Sequence, residues 1–206
     1  MNFDKNIKQH LDDLPTNSNL FNANSIALDC EMGGLSPTFD KLLLIQLYDG
    51  SSNEVHLIRI KSNKAPNLKK ILENDKIEKI MHYARTDLGF LKHHLNISVK
   101  NIFDTKIASK ISRKYTSAHG LKDLAKDLIN IKLDKEQQTS DWNKTEYTKA
   151  QLIYACNDVL HLHKIKSELE KILIREKKIE LAEKCFEFLE TRTDLDLSGL
   201  GDVFEH

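Results

Sequence analysis

The chain has 206 residues, 40% hydrophobic and 30% charged, with 31 Lys+Arg against 31 Asp+Glu, so net charge is zero with His neutral. That length supports one well-buried domain, and the balanced charge argues against tracking of long nucleic acid over a broad basic surface, leaving short or locally held substrates. No 18-residue apolar run occurs, residues 1–5 do not begin a secretory signal, and Cys30, Cys156 and Cys185 show no C-x-x-C spacing, so a reduced, cytoplasmic protein off the membrane is expected.

The first two dozen residues are polar, with Pro15 and an Asn/Ser-rich stretch, and read as a lead-in with at most a short helix. Residues 26–31 form a first strand. Residues 42–48 are near-continuously apolar and form a central one, and 54–60 complete a meander after the Asp49-Gly50 turn signal. A short helix near 68–73 precedes a fourth strand at 79–83, a helix at 86–94, a short strand at 102–105 and a helix through 110. Another helix covers 121–128, a polar loop 134–143, and a long helix 149–173, continuous with or kinked into 176–189. Three strands followed by alternating strands and helices predict an α/β fold with a mixed five- to six-stranded sheet flanked by helices.

Chemistry concentrates in three segments. Asp29 and Glu31 alternate with Cys30 along the first strand and therefore share a face, an arrangement that a hard divalent cation would compensate. Asp87 falls in the first turn of a helix, where complementing the helix dipole is the plainer explanation. Tyr154 and Asp158 are four apart on the long helix and lie one turn apart on one face. Together these four acids and one phenol are what two-metal phosphodiester hydrolysis requires. Asp29 would bridge two ions, Glu31 and Asp158 would hold one, Asp87 would act through water, and Tyr154 would orient or deprotonate the nucleophile.

Asp29-x-Glu31, His82-x4-Asp87 and Tyr154-x3-Asp158 resemble the three motifs of the DEDDy 3′→5′ exonucleases. Phe103-Asp104-Thr105, His119-Gly120-Leu121 and Gln138 to Trp142 further resemble ribonuclease D. The resemblance spans about residues 24–165. It implies a ribonuclease-H-like DnaQ/DEDD fold, two Mg2+ or Mn2+ ions per site and release of 5′-mononucleotides. The chain is too short for the helical HRDC domains of ribonuclease D, which leaves a single exonuclease domain with 166–206 as a C-terminal helix and tail. Its short form, with Thr105 to Lys110, Tyr115-Thr116 and the Cys185-Phe186-x-Phe188-Leu189 tail, is similar to the nano-RNase C family. That family implies diribonucleotide substrates such as pGpG and a homo-octameric ring, with the apolar tail docking on a neighbouring subunit.

Glu31-Met32-Gly33-Gly34-Leu35 also resembles a loop of oligoribonuclease, which implies substrate contact at Met32 and either a base wedge or ordinary packing for Leu35. Lys106, Lys110, Arg113, Lys114, Tyr115 and His119 form either a solvated helix face or a cap on the substrate 5′-phosphate, contributed in part by a neighbouring subunit. Gln138 and Trp142 fall in a loop that the resemblance lays over the site, Trp142 packing or lining substrate, and His82 supports the site or touches substrate. The leading expectation is an exoribonuclease of short RNA. Its competitors are a general exonuclease trimming longer RNA or DNA ends, and a non-catalytic RNA-binding protein.

Overall fold

The computed structural model describes residues 6–133, 140–201 and 203–204. Strands β1 (Asn6–Leu11), β2 (Ser25–Met32), β3 (Leu42–Tyr48), β4 (Glu54–Arg59), β5 (Glu78–Met81) and β6 (Ile102–Asp104) form one sheet in the order β1-β4-β3-β2-β5-β6. The β2-β3 and β3-β4 pairs are antiparallel, while β1-β4, β2-β5 and β5-β6 are parallel, so the sheet is mixed as expected. Every residue of β3 is buried, which is why its sequence shows no alternation.

Helices α1 (Pro66–Leu72), α2 (Arg85–Leu95), α3 (Thr105–Ser112), α4 (Leu121–Ile129), α5 (Lys149–Leu160), α6 (Leu162–Arg175) and α7 (Ile179–Leu197) complete the fold. Two apolar clusters form. One joins β2 and β3 to α1 and α2, and the other joins the sheet to α4, α5 and α6. Each fully buried Leu or Ile in them contributes roughly 1.5–3 kcal/mol.

Three expectations need correction. The polar lead-in contains β1, an edge strand whose mixed exposure leaves no alternating apolar signal. Just after it, Asp12 adopts φ 65° and accepts hydrogen bonds from Lys61 and Ser62 backbone N–H at 2.6 and 2.7 Å. Asp13 accepts from Asn67 and Leu68 backbone N–H at 2.9 and 2.8 Å, closing the start of α1. The long C-terminal helix is three helices, broken at His161 and again across 176–178, where Lys177 takes φ 54°. The tail is also not wholly offered to a partner: Phe186 and Leu189 are buried within the chain. Arg85–Asp196, Lys92–Asp194 and Lys100–Glu190 ion pairs tie α7 back to the body, and Leu181, Leu200, Val203 and Phe204 remain exposed.

Candidate active site

Burial of Ile26, Ala27 and Leu28 fixes the register of β2, and alternation then turns Asp29 and Glu31 to a common face. α5 packs on β2 and β3 and brings Asp158 to that face. One carboxylate oxygen from each of Asp29, Glu31 and Asp158 lies within 4.8 Å of the others. Among the described residues this is the one cluster of three His, Cys, Asp or Glu side chains close enough to share an ion. Asp87 stands outside the trio, buried in the first turn of α2. Cys30, expected to face away from the acids, does turn from Asp29 and Glu31, yet its thiol hydrogen-bonds the Asp87 carboxylate. The reason is that α2 packs on the side of β2 that Cys30 faces, with Leu88 and Leu91 in the same cluster.

The electrostatics are those of crowded like charges. Burial pushes the Asp29 carboxyl up to about 7. Burial, then Asp29, Asp158 and Asp87 in turn, push Glu31 up to about 10. Asp87 and Asp158 are raised as well, by burial first and Asp29 second. Among the described residues, no ion pair to Lys, Arg or His reaches any of the four. A half-buried set of hard oxygen donors without a compensating cation fits a hard divalent ion.

Tyr154, one turn before Asp158, hydrogen-bonds its carboxylate, and burial together with Asp158, Glu31 and Asp29 raises the phenol well above its ordinary value. The hydroxyl is therefore a donor to Asp158, and without a cation it is no base. Trp142 is 4% exposed and packs 5.4 Å from the Tyr147 ring and 6.3 Å from Tyr154, centroid to centroid. It forms the wall behind Tyr154. The Arg59 guanidinium lies 4.5 Å from the Tyr147 ring and donates to the Lys144 and Thr145 carbonyls, fastening this loop to β4.

Beyond Met32, partly buried at the bulged end of β2, Leu35 projects into solvent, 88% exposed. Its loop is rigid at the base: Asp40 accepts from Ser36 N–H at 2.8 Å, and the His94 ring bonds the Asp40 carbonyl at 2.9 Å. His82 bonds Thr105 Oγ1 at 2.9 Å. Of the cap candidates, Lys114 and Tyr115 are exposed and His119 is half-buried, its Nδ1 2.8 Å from Ser109 Oγ. Arg113 is corrected. It is 2% exposed, and its guanidinium is held by Asp127 at 2.6 Å, the Ala118 carbonyl and Ser109 Oγ. Such a cation fixes the 113–119 turn and is not presented to a phosphate. Gln138 lies outside the described residues.

The sequence reading gave no role to Asp104. It is buried at the end of β6 and accepts from Lys106 and Ile107 N–H at 2.8 and 2.9 Å, capping α3. It also accepts from Ala84 and Tyr83 N–H at 2.8 and 3.3 Å, fixing the turn that leads to Asp87. An Asp between a strand and a helix is the signal that could have found it.

Comparison with known proteins agrees with this arrangement. The 3′-5′ exonuclease family matches residues 8–174. Ribonuclease D of Haemophilus influenzae is 34% identical over 151 residues, 73% of this chain and 37% of that protein. The chain thus spans little more than a third of that curated relative. The structure of Brucella melitensis NrnC with bound Mg2+ superposes with a TM-score of 0.91 at 40% identity, covering 97% of this chain and 98% of that one. NrnC bound to pGG gives 0.92 at 41% identity, covering 98% and 99%. With Asp29 and Glu31 on a strand of a mixed six-stranded sheet and Asp87, Tyr154 and Asp158 on helices beside it, the chain belongs to the DEDDy 3′-5′ exonucleases of the ribonuclease D and NrnC family.

Proposed function

We propose that this protein is a 3′→5′ exoribonuclease that hydrolyses short oligoribonucleotides, above all diribonucleotides such as pGpG, to nucleoside 5′-monophosphates. The observation that carries the reading is the oxygen trio of Asp29, Glu31 and Asp158 with the Tyr154 hydroxyl bonded to it. Near-full-length similarity to an NrnC that binds Mg2+ and pGG supports the metal and the substrate length.

Asp29, Glu31 and Asp158 would hold two divalent ions, Mg2+ or Mn2+, with Asp87 reaching them through water. Ions held there would supply polarisation of the scissile phosphate and a lowered pKa for the attacking water. Tyr154 is steered by its bond to Asp158, so its oxygen is placed to orient that water. As the water oxygen bonds to phosphorus, the bond to the 3′ oxygen breaks. The water gives up a proton, the departing 3′ oxygen takes one, and the released nucleotide keeps a 5′-phosphate. Leu35, on its pinned loop, separates the two bases, with Met32 beneath it, while Trp142 backs the site. Lys114, Tyr115 and His119, positioned by the buried Arg113, cap the 5′-phosphate and exclude longer RNA.

One catalytic unit, with 24–165 as its core, accounts for the chemistry. The exposed Leu181, Leu200, Val203 and Phe204 are contacts between copies in a homo-oligomeric ring. Among the described residues no helix is long and apolar enough to cross a membrane, and three free cysteines suit a cytoplasmic place of action. The reading is tested by a time course on 5′-labelled RNAs of two to seven nucleotides in Mg2+. The two-mer should vanish far faster than the rest, and Asp29→Ala and Asp158→Ala should abolish the reaction. Stepwise shortening of all lengths at similar rates would make the enzyme a general trimming exonuclease.

A further inference from the structure

The turn between β5 and α2 carries two unusual features. Tyr83, bulky and half exposed, adopts φ 66°, a left-handed conformation that costs such a residue about 1–3 kcal/mol. It is held there by the bonds from its N–H and that of Ala84 to the buried Asp104. Strain that the surroundings enforce in this way clusters at sites of function. The second feature is the hydrogen-bond order around His82. The Met81 carbonyl can only accept, so it takes the single proton of the Thr105 hydroxyl at 3.0 Å. Thr105 Oγ1 must then accept from the ring of His82, 2.9 Å away, which places the ring proton on Nδ1. Nε2 is left as a bare acceptor with no partner among the described residues. Burial and the nearby Lys106 push the ring's pKa down to about 3, so it stays neutral. Nor does it belong to the cluster of acids able to share an ion.

The location says what such an acceptor would meet. β5 runs parallel to β2 with Ala27 opposite Ile80, so His82, which follows directly on the end of β5, leaves the sheet at the same end of β2 that carries Asp29 and Glu31. β5 neighbours β2 in the sheet, so His82 stands at the margin of the site where the scissile phosphate would rest. A bare nitrogen lone pair repels phosphate oxygens and accepts from a hydroxyl, and the hydroxyls next to a phosphodiester are those of ribose. We propose that His82 Nε2 accepts a hydrogen bond from a substrate 2′-hydroxyl flanking the scissile phosphate, with Thr105 as the positioning residue that fixes the ring's tautomer, and that this contact separates RNA from DNA. The inference rests on the exoribonuclease reading above and deepens it.

The unmodified enzyme provides the main test, which no folding defect can confuse. The kcat/KM for diribonucleotides bearing 2′-OH, 2′-H or 2′-fluoro at each sugar in turn is measured in Mg2+. At one of the two sugars, both 2′-H and 2′-fluoro should lower kcat/KM about tenfold, the loss expected for one hydrogen bond to a buried acceptor. Fluorine keeps the ribose pucker but cannot donate, so 2′-fluoro working as well as 2′-OH would overturn the proposal, as would equal rates for all three. His82→Phe should lower the rate on RNA about tenfold more than the rate on the deoxy substrate and so erase the preference. Thr105→Val should erode the same RNA-to-DNA ratio, whereas a purely structural role would lower both rates together. An unaltered ratio in a folded His82→Phe would overturn the proposal while leaving exonuclease activity standing. Failure of the unmodified enzyme to cleave any dinucleotide would instead remove the functional reading beneath it.

Discussion

Replacing Glu31 with Gln should stabilise the metal-free protein at pH 8 while abolishing its activity. In the fold, burial and three neighbouring carboxylates raise the Glu31 carboxyl from 4.5 to about 10. A carboxyl whose folded pKa lies above its unfolded value makes the fold bind the extra proton. Its contribution to stability is fully present below pH 4.5 and is lost as pH rises toward 10. Each pH unit inside that window costs about 1.4 kcal/mol, so Glu31 removes roughly 4 kcal/mol between pH 5 and pH 8 as an upper bound. For a chain of this size that is on the order of 10 °C in Tm. Glutamine keeps the shape and carries no charge, so in chelator the variant should melt above the unmodified protein at pH 8 and close to it at pH 5. Comparing the two proteins cancels the buried histidines, which titrate in the same range and act in the opposite direction. Millimolar Mg2+ should reverse the order, because only the full acidic set gains from the cation. A Glu31→Gln protein that melts lower than its parent at pH 8 in chelator, or with the same pH slope, would refute the argument that unpaired carboxylates strain this site.

Tyr154→Phe should lower kcat by about 10²-fold or more and leave the Mg2+-induced rise in Tm intact, which single-turnover kinetics and melting curves check together. Gly34→Ala places a Cβ 2.3–2.6 Å from the Asp40 carboxylate atoms that hold Ser36. It should loosen the Leu35 loop and raise KM for the two-mer several-fold, with little change in kcat. Asp104→Ala leaves four backbone N–H groups without their acceptor and should cost about 2–4 kcal/mol in urea unfolding.

Much of the site was legible in the residues because its parts obey short local rules. Two-residue alternation put Asp29 and Glu31 together, and four-residue helical spacing did the same for Tyr154 and Asp158. What was hidden depends on packing between segments distant in the chain. The strand β1 has too little apolar content to declare itself and exists because β4 offers it an edge. Arg113 reads as a surface cation until Asp127, Ser109 and Ala118 close around it. The helix end at His161 has no Gly or Pro to mark it. Cys30 and Asp87 meet only because α2 folds against one side of β2. The order of proton donors from His82 through Thr105 to Met81 has no sequence signature at all.

The edge strand also bears on how the protein can be shortened. A chain trimmed to start at residue 19 would lose only residues that look like a polar leader. It would also lose the cover on β4, whose N–H and C=O groups now pair with β1, together with Asp12 and Asp13, which tie down the 61–62 turn and the start of α1. The uncovered row of backbone groups would offer a template to any other extended chain. Such a truncated protein would form insoluble assemblies, and a lost activity read from it would speak of aggregation and say nothing of the carboxylates.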